Sequence, residues 1–163
     1  MSFSALGTIF MRANIPITAL SSDTVLEDWI WLLKKPHTII AMNNFGDMFL
    51  QDEKGTILLL NVAWGTLERV ATSDAEFQRL AADKERQRCW FLTDFLTQIE
   101  SAGLTLSNGE FFAFKKPLKL GGTVEVSNVE IASITVHVSL QGQILQQLRD
   151  LPPGTRIKEV TIE

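Results

Sequence analysis

Two histidines, one cysteine, an acidic pair and a lysine cluster are the side chains in this chain whose types could do chemistry. A metal-assisted hydrolase needs imidazoles at HExxH or comparable spacing. His37 follows Pro36 in a connection, and His137 stands far away in a run of alternating β-branched residues. Both read as structural or surface histidines, so no metal and no cofactor is expected. Cys89 sits beside Trp90 in an amphipathic segment. It reads as a buried thiol, because a nucleophile would need an adjacent base and an orienting acid. No G-x-S-x-G, Walker loop or dinucleotide fingerprint is present, and Gly121-Gly122 is only a loop pair. Asp52-Glu53 fall in a turn and read as solvating charges rather than a general acid and base. Lys115, Lys116 and Lys119 lack interleaved aromatics and read as a solvated loop. No catalytic residue emerges, and the expectation is a protein that is not an enzyme.

Contact chemistry is what is left. The chain has four tryptophans and no tyrosine. Trp29 and Trp90 lie on the apolar faces of their segments and belong to the core. Trp31 stands about 200° from Trp29 on a helical wheel, and its assignment is also core. Trp64 lies in a turn, where core and binding hot spot are equally good readings.

The frame around these residues is ordinary. At 163 residues, 45% hydrophobic and 21% charged, the chain can bury a core and reads as one domain over 1–163. Its net charge of −4 and pI near 5.2 argue against direct nucleic-acid binding and leave room for a basic protein partner. A single cysteine allows no internal disulfide, which suits a reducing cytoplasm. There is no signal-peptide pattern, and no apolar run approaches the roughly 18 residues of a membrane span. The expected location is the cytoplasm, with no membrane partner.

The elements that must position the contact residues follow from spacing. Pro16 argues against a long helix in residues 1–20. Ser21-Ser22-Asp23 starts a helix that continues through Val25, Leu26, Trp29, Ile30, Leu32 and Leu33 to Lys34-Lys35-Pro36. Strands are predicted over 38–42, 45–51, 56–62 and 67–71. The turns between them, including Asp52-Glu53-Lys54-Gly55, imply an antiparallel meander. Ser73 three residues before Glu76 is a capping box. One long helix is predicted over 85–102, with Leu92, Phe95, Leu96 and Ile99 facing the sheet and Gly103 as its cap. A strand over 110–114 follows, and 124–140 reads as extended, with Val129, Ile131, Ile134, Val136 and Val138 in a central strand. Leu140, Ile144, Leu145, Leu148 and Leu151 then mark a short helix stopped by Pro152-Pro153-Gly154. The fold class is α+β, a mainly antiparallel sheet packed against helices.

Several strings recur together, in order: Phe45-Gly46-Asp47-Met48-Phe49-Leu50, the Asp52-x-x-Gly55 hairpin, Gly103-Leu104-Thr105-Leu106, Gly121-Gly122, Gly142-Gln143-Ile144, and Asp150-Leu151-Pro152-Pro153-Gly154-Thr155. In this order the chain resembles the C-terminal domain family of immunity proteins paired with DNase effectors of type VI secretion. The likeness spans roughly 25–157, with a short extension over 1–24 in place of the longer GAD-like region common in the family. The resemblance implies a non-catalytic antitoxin that binds and neutralises a cognate nuclease effector. The alternative is a general protein- or ligand-binding regulatory module without a toxin partner. The resemblance names no contact residues. Turn position selects Trp64, and clustered negative charge around one hairpin selects Asp47, Asp52 and Glu53. The competing reading makes Asp47 a structural turn acid and leaves Asp52 and Glu53 only to solubilise the hairpin.

Overall fold

In the computed structural model, which describes residues 20–163, the apolar runs of the meander are buried on both faces. Strands β1 (Thr38–Met42), β2 (Met48–Gln51), β3 (Ile57–Asn61) and β4 (Thr66–Ala71) form a four-stranded sheet in sequence order. All three pairings are antiparallel, with Met48 opposite Leu60 and Gln51 opposite Ile57. The predicted meander is therefore present. Its near-continuous Ile57-Leu58-Leu59-Leu60 run fits a sheet covered on both sides. The expectation for Pro16 lies outside the described residues.

Alternation along each strand sorts the side chains. Phe49, Ile57 and Ala71 face one core with Phe77, Trp90, Phe91, Leu96 and Ile99. Met48, Leu50 and Leu60 face a second core with Val25, Trp29, Leu33, Ile134, Val138 and Leu145. A bulge between Ile39 and Ala41 shifts the register of β1, so that Ala41 comes opposite Phe49 and shares its core.

The first core is roofed by α3 (Asp74–Ala81), α4 (Lys84–Phe91) and α5 (Thr93–Ser101); the labels α1 and α2 belong to Ser22–Val25 and Ile30–Leu33. Ser73 Oγ accepts from the Glu76 amide at 3.2 Å, as the predicted cap requires, while the Glu76 carboxylate reaches back one residue further and accepts from the Thr72 amide at 2.7 Å. The single helix expected over 85–102 is instead two. Leu92 adopts φ 49°, ψ 44°, a left-handed conformation that ends α4 and starts α5. That geometry costs a non-glycine residue about 1–2 kcal/mol. The break turns Trp90 and Phe91 of α4, and Leu96 and Ile99 of α5, into the same core. Phe95 is only half-buried, stacked on Phe45 at 5.5 Å and on Phe114 at 6.4 Å. Cys89 points outward and is exposed, so its expected burial does not hold.

The second core differs more from the sequence reading. The segment expected to run extended over 124–140 is a strand only as far as Ser133. Strands β5 (Glu110–Phe114) and β6 (Val129–Ser133) pair with each other as a separate two-stranded sheet. The Phe112 amide, donating to the Asn44 carbonyl at 2.8 Å, ties that sheet to the β1–β2 turn. From Ile134 the chain is helical to Leu148 as α6, so His137 and Val138 sit on a helix. The β-branched residues fit a strand locally. However, Ile134, Val138, Gln141, Gly142 and Leu145 also recur at helical spacing, and that buried stripe meets the N-terminal tryptophans. Trp29 donates its indole N–H to the Val138 carbonyl at 3.0 Å, and Trp31 donates to the Gly142 carbonyl at 3.2 Å.

The N-terminal helix is likewise broken, into α1, a 3-10 turn at Glu27–Trp29, and α2. On one straight helix Trp29 and Trp31 would point apart. The break lets both address α6, with their rings stacked at 6.2 Å.

Candidate docking surface

β3 separates two surface regions. The Asp52–Thr56 hairpin lies at one end of this strand, and the Val62–Gly65 turn lies at the other, about 17 Å of strand apart. The four candidate contact residues are therefore not one patch.

Asp47 is inside the molecule, 6% exposed. Its carboxylate accepts from the Val62 amide at 2.9 Å and from Asn43 Nδ2 at 3.1 Å. Asn43 in turn accepts from the Phe45 and Asp47 amides and donates to the Trp90 carbonyl. This network holds the β1–β2 turn to the β3–β4 turn. Asp47 is thus a structural turn acid and offers no oxygen to a partner surface. Burial pushes its pKa up to about 6, against the opposing pull of Asn43 and the Val62 amide.

A titration follows from that burial. The folded value lies above the unfolded value of 3.8, so between about pH 6 and pH 4 the folded state holds the extra proton. Stability from this group therefore rises as pH falls through 6 and is lost as pH rises above it. The expected change is up to roughly 3 kcal/mol, from 1.36 kcal/mol per pKa unit. Urea midpoints measured from pH 7.5 to pH 4.5 should show the rise, and Asp47→Asn, which cannot titrate, should flatten this component. An unchanged profile in Asp47→Asn would contradict the assignment.

Asp52 is engaged as well. Its side chain is 9% exposed and pairs with Lys35 Nζ at 3.0 Å. Its other oxygen accepts from the Lys54 and Thr56 amides at 2.9 and 3.0 Å. Lys35 chiefly, with these amides, draws its pKa down to about 2. The hairpin prediction is met, with Gly55 at φ 82° in the position that needs positive φ. Asp52 is nevertheless a turn-holding acid, partly neutralised by Lys35, rather than a free charge. Glu53 beside it is exposed. Asp23, Asp52 and Glu53 border one shallow hollow, with His37 in its wall. His37 is buried, and Nδ1 lies 2.8 Å from the Lys35 carbonyl.

At the far end, Trp64 is 43% exposed. It lines a groove of about 430 Å³ together with Trp31, Lys119, Leu145, Leu148 and Arg149. Lys119 Nζ stands 5.7 Å from the Trp64 ring centroid, and Arg149 Cζ stands 5.8 Å from that of Trp31. The rest of the wall is the Leu151-Pro152-Pro153-Gly154-Thr155 string with Gly65 and Ile157. Lys119 was read as part of a solvated loop, and Arg149 was given no role. Neither had a local signal, because their partners are aromatic rings distant in sequence.

His137 packs edge-on against Phe111 at 5.5 Å; burial lowers its pKa, opposed by Glu130. Among the described residues no three His, Cys, Asp or Glu side chains gather as metal ligands. No helix of the described residues is long and apolar enough to cross a membrane.

The family described as T6SS immunity protein Tdi1, C-terminal, matches residues 71–145. It is the family that the ordered motifs resemble. The matched segment contains Gly103–Leu106, Gly121-Gly122 and Gly142–Ile144, and leaves the meander motif and the Pro-Pro-Gly string outside it. No curated protein matches the chain. The crystal structure of Atu4351 from Agrobacterium tumefaciens is similar in fold, with a TM-score of 0.54 at 13% identity, covering 88% of this chain and 81% of that one.

Proposed function

We propose, from the match of residues 71–145 to the type VI secretion immunity family, that this chain is an immunity protein whose partner is a cognate nuclease effector. That family match is the observation that carries the reading. Two surface features support it. Trp64 presents an aromatic side chain of the kind enriched in binding hot spots. Glu53, exposed on the hairpin beside Asp23 and Asp52, offers negative charge to the basic groove that a DNA-cleaving domain needs. The protein acts by occupying the effector's surface, with no bond made or broken, in the cytoplasm of the producing cell.

The test is to find whether a large secreted protein with a nuclease domain is encoded beside this gene, and to co-express the two. A stable complex and suppressed DNA cleavage are expected. If the purified protein neither binds nor inhibits that nuclease, the reading fails and a general binding module takes its place.

The charge contribution is tested at Glu53 alone. Asp52→Lys would also unmake the hairpin by removing the acceptor of the Lys54 and Thr56 amides. Glu53→Lys should slow association several-fold at low ionic strength, and the difference should vanish near 1 M salt, where the Debye length is about 3 Å. Stopped-flow association that is equally fast for both proteins at low salt would remove the hairpin from the interface.

A further inference from the structure

We propose that the groove between the β3–β4 turn and the C-terminal end of α6 docks an acidic peptide segment of the effector, one that carries carboxylates beside an apolar side chain. This rests on the immunity reading and names the second half of the contact, at the opposite end of β3 from Glu53.

Charge points to the ligand. The chain is net −4, yet the groove lining contains Lys119 and Arg149 and, among the described residues, not one carboxylate. Lys119 has no ion-pair partner among the described residues. Arg149 bonds the neighbouring Asp150 through Nε at 2.9 Å, which leaves its terminal amino groups available. Both cations stand over tryptophan faces. This arrangement holds the positive heads at the groove, Lys119 without an ion pair among the described residues and Arg149 shared with Asp150. It also occupies a face of each ring, which disfavours the base stacking of a single-strand nucleic-acid site and favours carboxylates.

Shape and stiffness point the same way. A volume of about 430 Å³ is that of a ligand pocket, and its lining is apolar at Leu145, Leu148 and Leu151. Trp64 and Leu151 are 43% and 42% exposed, surface that an apolar side chain would cover. The walls are set before binding. The Trp31 ring is anchored through its N–H to the Gly142 carbonyl. Gly65, at φ 66°, brings the β3–β4 turn so close to α6 that a Cβ there would lie 3.0 Å from Leu145 Cδ1. The Pro152 carbonyl accepts from Thr155 Oγ1 at 2.6 Å and from the Thr155 amide at 3.1 Å, which closes the Pro-Pro-Gly-Thr turn. Little ordering remains to oppose binding. The Leu151–Thr155 string, which no catalytic role absorbs, thereby acquires a task as the groove wall.

The experiment uses the full chain and the nuclease effector that the co-expression test identifies as its partner. Titration calorimetry compares wild type with Lys119→Glu and with Trp64→Ala. Both positions are exposed, so thermal melts should match wild type. Each variant should bind at least about tenfold more weakly, as loss of a hot-spot contact requires. A water-soluble carbodiimide, which condenses an amine with a carboxylate at contact distance, is then applied to the wild-type complex. Mass spectrometry should find Lys119 joined to an aspartate or glutamate of the effector. Wild-type affinity in both variants, or a complex with no Lys119 cross-link, overturns the groove while leaving the immunity reading intact. A wild-type protein that binds no effector overturns both. A fluorescent oligothymidine that binds the wild type and is lost in Trp64→Ala overturns the peptide in favour of single-stranded nucleic acid.

Discussion

Replacing Phe49 by alanine is expected to cost about 3 to 5 kcal/mol, as for other fully buried aromatic side chains. Phe49 has no exposed surface and stands at the centre of the first core. Its ring lies 5.0 Å from that of Phe77, 5.2 Å from Trp90 and 5.8 Å from Phe91, so one deletion unpacks α3 and α4 together. A domain of this size is typically stable by about 5–15 kcal/mol, so roughly a fifth or more of the total is at stake. Urea unfolding at constant slope is the measurement. Phe95→Ala is the control. Its ring has the same chemistry but is only half-buried, stacked on Phe45 and Phe114. It should lose clearly less. Equal losses would mean that Phe49 is not the keystone the packing makes it.

Gly142→Ala is expected to destabilise the protein by about 1–3 kcal/mol, the range for forcing an extra carbon into a tight contact. A Cβ at Gly142 would lie 2.6 Å from the Asp28 carbonyl oxygen and 3.0 Å from its carbonyl carbon. Both are backbone atoms, and no rotamer change moves them. α6 would have to retreat from the Glu27–Trp29 turn. The indole bonds from Trp29 to Val138 and from Trp31 to Gly142 would lengthen with it. The sign is the diagnostic part. An alanine in place of a mid-helix glycine with free space gains up to about 1 kcal/mol. Stabilisation by Gly142→Ala would therefore show that α6 stands clear of Asp28. Tryptophan emission should shift in the variant, because Trp31 loses its anchor, and under the proposed function effector affinity should fall with it.

The local chemistry of the chain determined the parts whose causes are local. Alternating apolar residues and the turn residues Asn43-Asn44, Asp52-x-x-Gly55 and Ala63–Thr66 were enough to read the meander, because hairpin pairing joins neighbours in sequence. The Ser73–Glu76 cap was legible for the same reason. The ordered motifs also pointed to the family whose model matches residues 71–145. The site was legible only in part. Trp64 was chosen for its turn position and is exposed. Asp47 and Asp52 were chosen for charge, yet both are committed to holding turns.

Tertiary structure decided what depends on distant partners. Ile134 to Val138 satisfies a strand period and a helix period alike, and only the tryptophans more than a hundred residues earlier select the helix. Leu92 carries no sequence mark of a left-handed break. The break exists because two short helices bury Trp90, Phe91, Leu96 and Ile99 against one sheet where a straight helix would turn some of them away. The same holds for the N-terminal turn that aims Trp29 and Trp31 at one helix. The groove is the extreme case. Trp31, Trp64, Lys119 and the segment from Arg149 to Pro153 come from four places in the chain. No period or spacing links them, because what brings them together is the burial of other residues, the apolar faces of β3 and α6.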